Sequence, residues 1–155
     1  MEAKERFQDN LLLIRSVVGW SAKEFGERIG VTRQTINNLE AKPKDGKRRA
    51  TLTKTQYIAM RAVLDSEMAQ SEKSGEKMEM LETILEVLVD NPDKYSKEIR
   101  DEVLSKANMM SPSILAGTSS REDVSREYTK LIKGLGLCVA AAALGTWIIK
   151  EITDN

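Results

Sequence analysis

Arg33, Gln34 and Asn38 fall within one short stretch of this 155-residue chain. Each ends in a flat hydrogen-bonding group: the guanidinium donates from a rigid fork, and the amides donate and accept side by side. Such groups pair twice with flat arrays of donors and acceptors, Arg with guanine O6 and N7, Gln or Asn with adenine N6 and N7. Thr32, Thr35 and Asn37 add polar groups along the same stretch, and Lys42, Lys44, Lys47, Arg48 and Arg49 put five cations into the nine residues 42–50. That composition suits a polyanion's backbone. Placed anywhere else, the same residues would be an ordinary solvated helix face and an ordinary charged loop, so the reading depends on the elements that hold them.

Much other chemistry is excluded. The chain has no His and one Cys, Cys138, so a Cys/His zinc site, a Ser-His-Asp triad and a Cys-His dyad cannot be assembled within it. Cys138 lies in an apolar run and reads as a buried, inert thiol. There is no motif for cradling phosphate, for metal hydrolysis or for nucleophilic catalysis, so neither an enzyme nor a bound cofactor or metal is expected. The net charge of zero conceals an asymmetry: residues 1–68 carry 13 Lys/Arg against 9 Asp/Glu and residues 69–155 carry 11 against 15, so the halves are +4 and −4. The basic half suits a polyanion and the acidic half a module that does not touch one. Residues 1–10 hold no apolar stretch after their charges, so a secretory leader is not expected and a cytoplasmic setting is.

Composition favours helices, with few aromatics and with Gly and Pro mostly between periodic segments. A first helix is predicted from Glu5 to Val18 on the spacing of Phe7, Leu11, Ile14 and Val18, ended by Gly19. Ser21 and Glu24 form a capping box for a short helix through Ile29, with Gly30 free to turn left-handed. Thr32 caps a third short helix to about Ala41, its Ile36 and Leu39 inward and Arg33, Gln34, Asn37 and Asn38 outward. Pro43 and Asp45-Gly46 mark residues 42–50 as a loop. Thr53 and Gln56 open a fourth helix with Tyr57, Met60 and Leu64 on one face. Residues 69–77 read as a linker or a continuation of that helix.

Beyond them, Met78, Leu81, Leu85 and Leu88 form a narrow apolar seam suited to one partner helix. A further helix follows Asn91-Pro92 to about Asn108, lined by Tyr95, Ile99, Val103 and Ala107. Residues 111–120 read as a flexible connection, and Ser120 caps a last helix to about Thr153.

The run from Gly19 to Glu40 resembles the helix-turn-helix of the Xre, Cro and lambdoid-repressor family. The likeness covers about Phe7 to Met68. It rests on small Gly26 where two helices cross, Gly30 in the turn, Val31 after it, and apolar Phe25, Ile29, Ile36 and Leu39 at packing positions. Family members often pair an Arg late in the first helix with a Glu ending the recognition helix. Arg15 and Glu40 stand in those places, and a partly buried ion pair is expected.

The resemblance implies a lambda-repressor-like DNA-binding domain of four to five helices over 1–68; with the small helical region read from periodicity over 78–155, the expected fold class is all-α. It also implies that Arg33, Gln34 and Asn38 read base edges. Backbone or minor-groove contacts would come from Ser21, Lys23, Thr32, Thr35 and Asn37 and from the basic loop. Ala22 stands where many members carry a phosphate-binding Gln. The rear half is too short and too helical for the self-cleaving domain of some phage repressors.

The expected function is therefore a sequence-specific transcriptional regulator, a dimeric repressor binding double-stranded DNA. Residues 78–155 would supply a homodimer contact or a protein-partner surface. Two other classes use the same front half: a membrane-attached helix-turn-helix scaffold, and an antitoxin that binds a protein partner. The first arises from Gly134–Ile149, 16 residues without a charge between Lys133 and Lys150. As a helix this run is about 24 Å long against a hydrocarbon core of about 30 Å. Snorkelling lysines and inclusion of residues 131–152 would close the gap, and Trp147 suits an interface. Gly136, Ala140, Ala141 and Gly145 allow close helix packing in lipid or in a soluble bundle, so a buried or dimerising helix and a membrane anchor both remain open from the sequence.

Overall fold

The computed structural model describes residues 1–43, 49–76, 78–134 and 146–153, and the fold is all-α, with no strand among the described residues. The first predicted helix is two helices, α1 (Ala3–Asp9) and α2 (Leu11–Val18). The break is at Asn10, whose backbone leaves the helical region at φ −107° and ψ 13°, and whose side-chain amide donates to the Arg6 carbonyl at 2.8 Å. A short amide side chain that bonds its own backbone competes with the helix ladder in this way. The chain can turn without losing the apolar stripe, so Phe7, Leu11 and Ile14 are all fully buried. Gly19 ends α2 at φ 86°.

Ser21 and Glu24 form the capping box of α3 (Ala22–Ile29), and Gly30 follows at φ 79°. Thr32 caps α4 (Arg33–Glu40), one residue shorter than expected because Ala41 is already extended. A capping box at Thr53 and Gln56 opens α5 (Lys54–Lys73), which buries Tyr57, Met60, Arg61, Leu64, Met68 and Ser71 along one stripe. The helix therefore continues through most of 69–77. It ends at Ser74, and Gly75 turns left-handed at φ 85°.

The segment expected to be a narrow seam is instead the axis of the rear half. It comprises α6 (Glu79–Ile84) and a π-helical continuation, Leu85–Asp90, which α1, α2, α7 and α8 variously pack against. Met80, Leu81, Ile84, Val87 and Val89 are all fully buried. In a π turn the hydrogen bond spans five residues, as from the Asn91 amide to the Glu86 carbonyl at 2.9 Å. The widened turn shifts the faces, so the side chains of Val87 and Val89 are buried and the Val89 carbonyl accepts from Arg6 Nε at 2.7 Å. Spacing read at an ideal α period could not show this.

Pro92–Lys94 is a single 3-10 turn rather than the start of a long helix, and Tyr95 is extended. Ser96 then caps α7 (Lys97–Leu115). This helix runs through Pro112 into the stretch expected to be flexible. Proline in a helix interior costs about 3 kcal/mol; here Ser111 and Ile114, either side of it, are buried, and Ile114 packs against Gly19 at the end of α2. The turn comes later, at Gly117 with φ 74°. Then α8 (Arg121–Gly134) lays Val124, Tyr128 and Ile132 on α6 and α7.

The last described element is α9 (Thr146–Thr153). Its Trp147 donates from Nε1 to Asp65 Oδ2 at 2.7 Å and meets the Tyr57 ring edge-on at 5.8 Å, so α9 packs on α5. Most of the uncharged run 134–149, Cys138 and the small-residue pairs included, lies outside the described residues, as do Lys44, Lys47 and Arg48. No helix among the described residues is long and apolar enough to cross a membrane.

Core residues from Phe7 to Ile132 form one cluster, and Arg121 fastens the rear to the front. Its guanidinium donates to Glu76 at 2.5 Å, Glu67 at 2.7 Å, Ser71 Oγ at 3.0 Å and the Val18 carbonyl at 3.3 Å.

Candidate nucleic-acid interface

The outward face of α4 is built by what holds its inward face. Ile36 is fully buried and Leu39 nearly so, which at helical spacing leaves Arg33, Gln34, Asn37 and Asn38 exposed and Thr35 half-buried. None of the described residues of the rear half covers them. At the start of the helix, Thr32 Oγ1 accepts from the Thr35 amide at 3.1 Å and lies 3.0 Å from the Thr35 hydroxyl. The helix is thereby started at a fixed residue, which sets the rotation of the residues after it.

Two contacts lock α4 to its neighbours. At the crossing with α3, a Cβ on Gly26 would lie 2.6 Å from the Val31 carbonyl oxygen, closer than any real side chain comes. At the far end, Arg15 Nε and Nη2 donate to Glu40 Oε1 and Oε2 at 2.6 and 2.9 Å, and Nη1 donates to the Trp20 carbonyl at 3.0 Å. Both charged side chains are 9% exposed. A paired fork of this kind fixes direction as well as distance. Because desolvation offsets much of the attraction, its larger effect is on the orientation of α2 and α4.

The sequence-derived reading residues are not independent of one another. Gln34 Nε2 donates to Asn38 Oδ1 at 2.9 Å on the exposed face, so this pair leaves the hydrogen-bonding capacity of the Gln34 carbonyl oxygen and the Asn38 amide nitrogen unused. Arg33 is exposed beside them. Ser21 is exposed but engaged in its capping box, and exposed Lys23 lies 4.0 Å from Glu27. Ala22, at the position where a phosphate-binding Gln was the comparison, is buried. Of the basic loop, Lys42 is exposed and Arg49 donates to Asp9 Oδ1 at 2.5 Å; Lys44, Lys47 and Arg48 lie outside the described residues.

Sequence reasoning missed Gln8. It is 6% exposed, donates from Nε2 to the Leu39 carbonyl at 3.1 Å and the Ala50 carbonyl at 2.7 Å, and accepts from the Leu52 amide at 3.1 Å. One amide thus ties the end of α4 to the chain that follows the basic loop. The only hint was a polar residue three before Leu11 on an otherwise apolar stripe. Arg28, also missed, places its guanidinium 4.1 Å from the centre of the Trp20 ring, which packs on Phe25 beneath α3.

A second charged cluster lies where α5 meets the π turn and α9. Arg61 donates from Nη1 and Nη2 to Asp90 at 2.7 and 2.9 Å and from Nη1 to the Tyr57 hydroxyl at 3.1 Å, with the Trp147 ring centre 4.9 Å away. Burial alone would lower the Arg61 pKa, but bonding to Asp90 outweighs it and the guanidinium is held charged. Burial raises the Tyr57 pKa. No group of acidic, Cys or His residues among the described ones is arranged to hold a metal ion. No protein-family model, curated protein or solved structure matches this chain.

Proposed function

We propose that α3 and α4 are a helix-turn-helix and that the chain is a sequence-specific DNA-binding regulator, a repressor acting as a homodimer. The observation that carries this reading is the two-sided character of α4. Its inward side is anchored by Ile36, Leu39, Gly26 and the Arg15–Glu40 pair, while Arg33, Gln34, Asn37 and Asn38 are exposed. A helix of eight residues fits a major groove, and its first turn is where base-reading side chains are carried.

Arg33 and Gln34 occupy that turn. Asn38 lies one turn later, bonded to Gln34, so the two amides reach the groove as a unit. Lys42 and the other loop cations would grip phosphate, the contact type that dominates affinity without specifying sequence. One chain presents one such helix, and a symmetric pair would span half-sites about 34 Å apart. The reading assigns the chain no catalysis and no cofactor.

The test is selection of bound duplexes from a random pool. The wild type is expected to enrich a motif with two related halves. Gln34→Ala should lose discrimination of about 1–3 kcal/mol at one base position per half while keeping its salt dependence. Absence of any enriched motif, or identical motifs from wild type and variant, would overturn the assignment of this face.

A further inference from the structure

Gln8 and Asp9 close α1 next to the end of the basic stretch, and between them they hold Arg49, Ala50 and Leu52. Gln8 pins the backbone through the Ala50 carbonyl and the Leu52 amide. Asp9 takes the side chain: its Oδ1 accepts from Arg49 Nη2 at 2.5 Å, with 42% of the Asp9 side chain and 22% of the Arg49 side chain exposed. Arg49 is therefore a cation on a fixed piece of backbone, with an anionic oxygen already in place against its guanidinium.

A carboxylate and a phosphodiester make the same demand on a guanidinium, a pair of anionic oxygens within charge-assisted bonding distance. An ion pair this open to water is weak, and an incoming anion can replace one partner. Resting on the DNA reading above, we propose that Asp9 is a positioning residue that holds Arg49 in place of a backbone phosphate oxygen of duplex DNA, and that Arg49 passes to the phosphate on binding. Asp9 then acts as a brake: it holds the Arg49 guanidinium in a defined place, and it competes with the ligand. A purely structural Asp9 would behave in the opposite way, since its loss would misplace Arg49 and weaken binding.

The experiment uses the full chain and a fluorescent mixed-sequence duplex about three helical turns long, titrated between about 50 and 200 mM salt. Asp9→Asn is expected to tighten binding about three- to fivefold at the low-salt end. In an Arg49→Gln background the same change should give less than half that gain, which separates release of Arg49 from general loss of a negative charge. Unchanged or weakened binding by Asp9→Asn, or an equal gain in both backgrounds, overturns the role given to Asp9 while the DNA reading stands. Failure of the wild type to bind any duplex in a salt-dependent way overturns both.

Discussion

Arg15 and Arg61 each grip a carboxylate with two nitrogens, but they stand in different regions and are buried by different means. Arg15 and Glu40 share their burial evenly, at 9% each, and join α2 to α4 within the front of the molecule. Arg61 is 3% exposed against 23% for Asp90, and joins α5 to the π turn of the rear half under the Trp147 ring. The Arg15 guanidinium also reaches the Trp20 carbonyl, whereas Arg61 Nε is buried with no hydrogen-bond partner among the described residues. The same chemical pair thus aims an exposed helix in one place and bolts two halves together in the other. A pair that sets orientation should affect what the helix touches, and a pair that joins halves should affect stability alone.

The largest expected effect follows from the unequal burial of the second pair. Asp90→Ala leaves a nearly inaccessible guanidinium without its carboxylate partner, and should cost about 3–5 kcal/mol in urea unfolding. On the proposed DNA-binding reading, the DNA affinity of the remaining folded protein should be unchanged. Glu40→Ala should cost less, about 2–3 kcal/mol, because Arg15 keeps the Trp20 carbonyl and some water. Its DNA affinity should fall by more than the unfolded fraction explains, and equal behaviour of the two variants would erase the distinction drawn between the regions.

Trp147→Phe retains an aromatic ring against Tyr57 and Arg61 but removes the bond to Asp65. A loss of about 1 kcal/mol is expected from thermal unfolding, with no effect at the α4 face. Smallest near neutrality is a contribution confined to alkaline solution. Burial raises the pKa of Tyr128, and that of Tyr57 as well, above their ordinary value near 10. The unfolded chain's tyrosines therefore ionise first, so the contribution of these two groups to stability is constant below about pH 10 and falls above it. Tyr128→Phe should flatten the alkaline limb of a melting-temperature profile, and an unaltered limb would show that the burial of Tyr128 does not persist in solution.

Much of the front half was legible because its signals are local. A hydroxyl three residues before an amide caps a helix whatever surrounds it, so Ser21, Thr32 and Thr53 could be placed directly. Gly19 and Gly30 mark turns for the same reason, and Ile36 with Leu39 decides which side of α4 faces water. The Arg15–Glu40 pair came from a resemblance, since nothing in 25 residues of separation implies contact. Gln8 shows the limit more sharply: its three bonds go to residues 31 to 44 positions away, and a lone glutamine on an apolar stripe does not announce its partners.

By itself the sequence determined an all-helical chain, the starts and stops of its front helices, and the polar composition of α4, because caps, turn glycines and apolar periodicity act over a few residues. Only the tertiary structure decided that residues 79–90 are surrounded on several sides, that α7 continues through Pro112, and that Arg61 and Arg121 tie front to rear. Those outcomes depend on burial against distant segments, where packing outweighs local preference. A reading confined to neighbours along the chain has no access to that balance.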